Sequence, residues 1–118
     1  MKILTKRIYD PPEKKDGFRI LVDRLWPRGL KKEKAVIHEW LKTIAPSDGL
    51  RKWFSHDPEK WEEFKRRYFQ ELKEKNDLIK WIEEKERNQT ITLLYGAKDP
   101  RYNNAVALRE YLEREKRR

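Results

Sequence analysis

The run Phe18-Arg19-Ile20-Leu21-Val22-Asp23 is short and dense in β-branched and aromatic residues, which reads as a strand. Its Ile20-Leu21-Val22 stretch carries no polar alternation, so a strand here is buried on both faces. A parallel sheet covered by helices meets that condition, because its crossover connections lie over the faces. Thr90-Ile91-Thr92-Leu93-Leu94-Tyr95 forms a second strand. Residues 1–9 place Ile3, Leu4, Ile8 and Tyr9 among basic residues and form another, which Asp10-Pro11-Pro12 stops.

Helical spacing fills most of the remainder. Asp57 and Pro58 suit the cap and first position of a helix whose Trp61, Phe64, Tyr68 and Leu72 form one apolar stripe. A second helix starts near Asn76-Asp77, carries Leu78, Ile79 and Ile82, and closes at Asn88-Gln89. Asp99 and Pro100 open a last helix that buries Ala105, Leu108 and Leu112. Ser47 caps a short helix through Leu50, Trp53 and Phe54, and residues 24–32 form a loop. Residues 33–44 stay ambiguous: Ile37, Trp40, Leu41 and Ile44 fit a helix, whereas Ile37, Glu39, Leu41 and Thr43 alternate as in a strand. Helical connections before the last strand permit a right-handed crossover to a parallel neighbour. The expected architecture is one α/β domain over residues 1–118, a mostly parallel sheet of about four strands covered by helices. Residues 113–118 are expected to fray.

A chain of 118 residues is one domain long and can bury roughly two thirds of its unfolded surface. The charged share of 43% would suit disorder were it not for five Trp, five Tyr and four Phe. Absence of cysteine excludes disulfides, thiol nucleophiles and thiolate metal sites. No apolar run approaches the roughly 20 residues of a membrane span, and none near Met1 suits a signal peptide, so a cytosolic location is expected. Abundant Lys, Arg and Glu fit a thermophile's composition.

The net charge of +9 favours polyanionic partners, nucleic acid included. Against that, Lys65-Arg66-Arg67, Lys73, Lys75, Lys80, Lys85 and Arg87 alternate with Glu62, Glu63, Glu71, Glu74, Glu83, Glu84 and Glu86. Solvated helices laced with ion pairs have this composition, and no helix-turn-helix, zinc-finger or RNA-recognition pattern is legible.

Candidate chemistry gathers at two strand exits, where ligands bind in open α/β sheets. One offers Asp23-Arg24-Leu25-Trp26-Pro27-Arg28-Gly29; the other offers Tyr95-Gly96-Ala97-Lys98-Asp99, followed by Asn103 and Asn104. Arg24, Arg28 and Lys98 are the anion-binding candidates, because guanidinium forks and an ammonium match phosphate and carboxylate. Trp26 and Trp53 would wall the pocket, and Asn104 would orient the ligand. Asp23 and His56 are the acid–base candidates, histidine being suited to proton transfer near neutral pH. Each has an ordinary alternative: Asp23 can pair with Arg24 or Arg28, Trp26 can be core, and His56 can make a loop hydrogen bond. Two separated histidines without cysteine do not make a zinc site, although carboxylate-bound magnesium stays open. GxGxxG, Walker A and GxSxG signatures are absent, so no cofactor is expected. Ser47 and Ser55, the only serines, sit where capping explains them.

Arg7-Ile8-Tyr9-Asp10, Val22 to Gly29, Trp40-Leu41-Lys42, Ala45-Pro46-Ser47, Leu50 to Phe54, His56-Asp57, Thr92 to Asp99 and Asn103-Asn104-Ala105 follow one another along almost the whole chain. In that order they resemble the YeaO-like family, family 488 of the domains of unknown function. The resemblance implies an intracellular prokaryotic α/β domain without an assigned activity. It favours a strand over residues 37–42, with Trp40 and Lys42 on one face. A broader branch carries cysteine where Tyr95 and Gly96 stand here, so this chain cannot share any thiol chemistry of that branch.

The leading reading is a small anion-binding domain, with an enzyme acting on a phosphate- or carboxylate-bearing metabolite as one form of it. The alternative is a non-enzymatic nucleic-acid- or protein-binding module driven by positive charge. Whether the chain is an enzyme, and its oligomeric state, are not legible here.

Overall fold

Every residue of the strand Ile91–Tyr95 is buried, and this strand lies inside the sheet. The computed structural model describes residues 2–116. Its four strands are β1 (Ile3–Arg7), β2 (Phe18–Leu21), β3 (Glu39–Trp40) and β4 (Ile91–Tyr95). They are ordered β1-β4-β2-β3 and every pairing is parallel. The helices are α1 (Lys32–Ala35), α2 (Asp48–Phe54), α3 (Trp61–Lys73), α4 (Asn76–Arg87) and α5 (Asn104–Lys116). The domain is thus the small parallel α/β sheet that the unbroken apolar runs imply.

The sheet's two faces are covered differently. Ile20, Val22, Ile91, Leu93 and Tyr95 share one core with Leu50 and Phe54 of α2, the Trp61–Leu72 stripe of α3, Ile79 and Ile82 of α4, and Leu108 and Leu112 of α5. Each such side chain contributes roughly 1.5–3 kcal/mol by leaving water. Leu21, Leu94 and Ile8 form a smaller core on the other face, under Trp26, Leu30, Ile37 and Trp40. Loops rather than long helices cover that side.

The ambiguous segment splits three ways. Lys32–Ala35 makes one helical turn, Glu39–Trp40 pairs with Ile20 and Leu21, and Lys42–Ile44 forms a 3₁₀ turn. Lys42 Nζ lies 4.6 Å from the Trp40 ring centre, as one face would require. The Trp40 indole N–H donates to the Asp23 carbonyl (2.7 Å), tying this short edge strand to the β2 exit.

Helix ends follow local rules with one shift. The Ser47 hydroxyl accepts from the Leu50 N–H (3.2 Å), and Asp57 caps a 3₁₀ turn over Pro58–Lys60 that leads into α3. The last helix does not open at Asp99. That carboxylate accepts from the N–H groups of Arg101 and Tyr102, holding a turn, while Asn103 Oδ1 accepts from the Val106 N–H and caps α5. The Asn103 cap outcompetes the Asp-Pro signal. The tail is helical to Lys116, whose ammonium pairs with Glu86; residues 117 and 118 lie outside the described residues.

Tyr68 is fully buried on α3, and its hydroxyl donates to the Ile44 carbonyl (2.7 Å). Tyr68→Phe should cost about 1–3 kcal/mol in urea unfolding, because it leaves the buried Ile44 carbonyl without its donor. An unchanged midpoint would show that Ile44 finds another donor.

Candidate functional site

The exits of β2 and β4 are neighbours in the sheet, so their loops converge as expected. Between them and α2 lies a cleft of about 730 Å³. It is lined by Asp23, Arg24, Trp26 and Arg28 from the first exit, Gly96, Asn103 and Asn104 from the second, and Arg51, Lys52, Ser55 and His56 from α2 and its end. Pro46, Phe54 and Phe64 add apolar wall.

Asp23 is the pivot of this arrangement. Its Oδ2 accepts from the Gly96 N–H (2.8 Å) and its Oδ1 from the Asn104 amide (3.1 Å). Burial pushes its carboxyl above the usual carboxylate range, against the Gly96 N–H, the Asn104 amide and the charges of His56 and Arg51. Gly96 carries no Cβ for a reason visible here, since one would stand 3.2 Å from Asp23 Oδ2. The Asn104 amide also donates to the Val22 carbonyl (2.9 Å). Asn104 therefore orients Asp23, which sequence reasoning had given to ligand orientation.

His56 lines the same cleft from a strained position. Ser55 and His56 are consecutive non-glycine residues at positive φ, 46° and 57°. Such backbone costs of order 1–3 kcal/mol per residue, and here it turns the imidazole back over the end of α2. Phe54 lies beneath it, with ring centres 6.4 Å apart.

The expected anion ligands divide. Arg28 is exposed on the cleft and its guanidinium has no hydrogen bond or ion pair among the described residues. Arg24 lines the cleft but donates to the carbonyls of Pro46 and Ala45 (both 3.2 Å), so it also pins the loop ahead of α2. Lys98 is exposed and does not line the cleft, although Gly96 and Ala97 before it do. Trp53 is also outside: it is half-buried against the main core, with Lys60 (5.0 Å) and Arg67 (4.3 Å) beside its ring. Trp26 is a wall, its indole N–H donating to the Leu30 carbonyl (2.8 Å) and its edge meeting Trp40.

Arg51 and Lys52 were missed as site residues. Their signal was the α2 period: with Leu50 and Phe54 buried, Arg51 falls on the face that leads to Ser55. Tyr9 also reaches the cleft, its hydroxyl donating to the Arg28 carbonyl (2.8 Å) and holding that loop across from β1.

The basic helices look different. Glu63 accepts from both Arg66 and Arg67, which pull its carboxyl down to about 2, and Lys65 bonds Glu110 (3.2 Å). Lys65, Arg66 and Arg67 of α3 are thus paired with carboxylates. Among the described residues no group of three or more His, Asp or Glu is placed to hold a metal ion. No helix there is long and apolar enough to cross a membrane.

A family model described as "Inactive DUF488-N3 subclade" matches residues 2–118. The chain belongs to this DUF488 family. It is 44% identical over 112 residues to "Uncharacterized protein YeaO" of Escherichia coli (strain K12), covering 95% of this chain and 97% of that protein. An uncharacterized protein of Mycobacterium tuberculosis is 42% identical over 71 residues, which is 60% of each chain. No solved structure matches the chain significantly. For this DUF488 domain the YeaO-like resemblance is therefore the family relationship itself.

Proposed function

We propose that this DUF488 domain is a binding module whose cleft takes a small phosphate- or carboxylate-bearing ligand and does not transform it. The observation that carries the reading is charge placement: Arg24, Arg28, Arg51 and Lys52 line the cleft with Asp23, and although Arg24 (3.8 Å) and Arg51 (3.4 Å) share Asp48, Arg28 and Lys52 have no carboxylate partner among the described residues. In a partly enclosed, partly apolar space such cations attract an anion more strongly than on open surface. The word "inactive" in the family's description favours binding over turnover. So does chemistry, because Asp23 is held by two donors and no hydrogen bond joins it to His56.

Amide NMR titration with inorganic phosphate and nucleotides tests this. Saturable shifts should centre on residues 23–28, 51–56 and 96–104. Arg28→Ala with Lys52→Ala should weaken binding about 10- to 100-fold, the worth of one or two charge-assisted hydrogen bonds. Lys98→Ala should change nothing. Unaltered affinity in the double variant ends the anion reading, and phosphorus NMR showing ligand turnover ends the non-catalytic one.

A further inference from the structure

The cleft holds one acid among its cations, with the charges of His56 and Arg51 acting on it. Asp23 is half-buried between the strand exits, whereas Arg28 and Lys52 are exposed at the mouth. A simple anion would use the cations and leave the carboxylate unpaired or repelled. An ionised carboxylate offers about four acceptor positions. The Gly96 N–H takes one on Oδ2 and the Asn104 amide takes one on Oδ1, which leaves one on each oxygen. Two acceptors about 2 Å apart on one carboxylate match the paired hydroxyls of a sugar diol, as a strand-end acid matches ribose in dinucleotide sites. Trp26, Pro27 and Pro46 add apolar lining suited to a flat ring. The volume of about 730 Å³ far exceeds what phosphate or acetate fills and lies within the range of metabolite pockets.

We propose that the ligand is a nucleoside phosphate, with its ribose diol on Asp23, its base along Trp26 and its phosphate on Arg28 and Lys52. This rests on the anion-binding reading above and adds a donor-bearing sugar and a planar base to it. The ribose distinguishes it from a sugar-free phosphate, and the base from a sugar phosphate.

Calorimetric titration of the full chain with adenosine monophosphate, deoxyadenosine monophosphate, ribose phosphate and inorganic phosphate separates the claims. Adenosine monophosphate should bind tightest, and loss of the diol in the deoxy form should weaken it about tenfold. Asp23→Asn should remove that preference and raise the affinity for inorganic phosphate, because it deletes the one acid lining the cleft. Equal affinity for the ribo and deoxy forms with wild-type protein overturns the diol contact, whether or not the variant folds. Equal affinity for adenosine monophosphate and ribose phosphate overturns the base contact. In either case, a phosphate affinity still lowered by Arg28→Ala with Lys52→Ala leaves the anion reading standing. Absence of all binding overturns both.

Discussion

Asp16→Ala should lower folding stability by about 3–5 kcal/mol, because it strands a buried guanidinium. Arg19 lies in the middle of β2 and is 2% exposed. Its Nη1 pairs with Asp16 Oδ2 at 2.5 Å, while Nε and Nη2 donate to the carbonyls of Val36 (2.7 Å) and Ala35 (3.1 Å). Asp16, itself 1% exposed, also accepts from Lys6 (3.0 Å) and the Glu13 N–H (3.0 Å). Asp16→Ala keeps the cation and its burial but removes the anion. Asp16→Ala combined with Arg19→Met should recover only part of the loss, since it removes the stranded charge but leaves the Val36 and Ala35 carbonyls without their donor. Urea unfolding of both variants checks this, and a loss under about 1 kcal/mol for Asp16→Ala would mean that water reaches Arg19.

The same pair sets an acid response. Burial raises the Asp16 carboxyl, but the Glu13 N–H, Lys6 and Arg19 outweigh it and hold it below the ordinary carboxylate range. A folded value below the unfolded one means that the stabilisation is complete above about pH 4 and is lost as pH falls through the lower folded value. Asp16→Ala should flatten the acid side of the stability curve in that window.

Gly17→Ala should be the other severe change. Gly17 has φ +65°, and a methyl there would stand 2.1 Å from the Thr90 carbonyl oxygen. The backbone conformation alone costs about 1–3 kcal/mol for a residue with Cβ, and the clash adds to it. The site is tight because the connection from β1 to β2 passes under β4: the Phe18 N–H donates to the Thr90 carbonyl (2.9 Å) and the Thr92 hydroxyl to the Asp16 carbonyl (2.7 Å). Gly49→Ala is the control, since Gly49 lies in α2 with open space around its Cβ direction. It should be neutral or gain roughly 0.5–1 kcal/mol of helix stability. Thermal unfolding that placed both alanine variants together would show that β1–β2 shifts to accommodate the methyl.

Much of the architecture was legible because it depends on short-range chemistry. Ile20-Leu21-Val22 and Ile91–Tyr95 announced doubly covered parallel strands, and the Trp61–Leu72 stripe announced α3. Convergence of the Asp23–Arg28 and Gly96–Asn104 segments followed from two strand exits in one sheet. Three things were not legible. The burial of Arg19 has no local signal, because its partners are a turn three residues back and the carbonyls of residues 35 and 36. Lys98 and Trp53 read as site residues because their chain neighbours are, yet which way a loop turns or a helix face points depends on distant packing. The start of α5 was displaced because two capping signals competed within five residues, and the choice was made by Asn103, buried against β4's exit.

The chain's own order of residues therefore determined its elements, its parallel sheet and the group of residues from which a site could be built, since hydrophobic period, caps and turns act within a few residues of each other. Only the folded arrangement decided that Asn104 and Gly96 hold Asp23, that Arg51 and Lys52 join Arg28 at the mouth, and that Arg19 is core. Those outcomes depend on contacts between residues up to 81 positions apart, such as Asp23 with Asn104, whose energies no local pattern encodes.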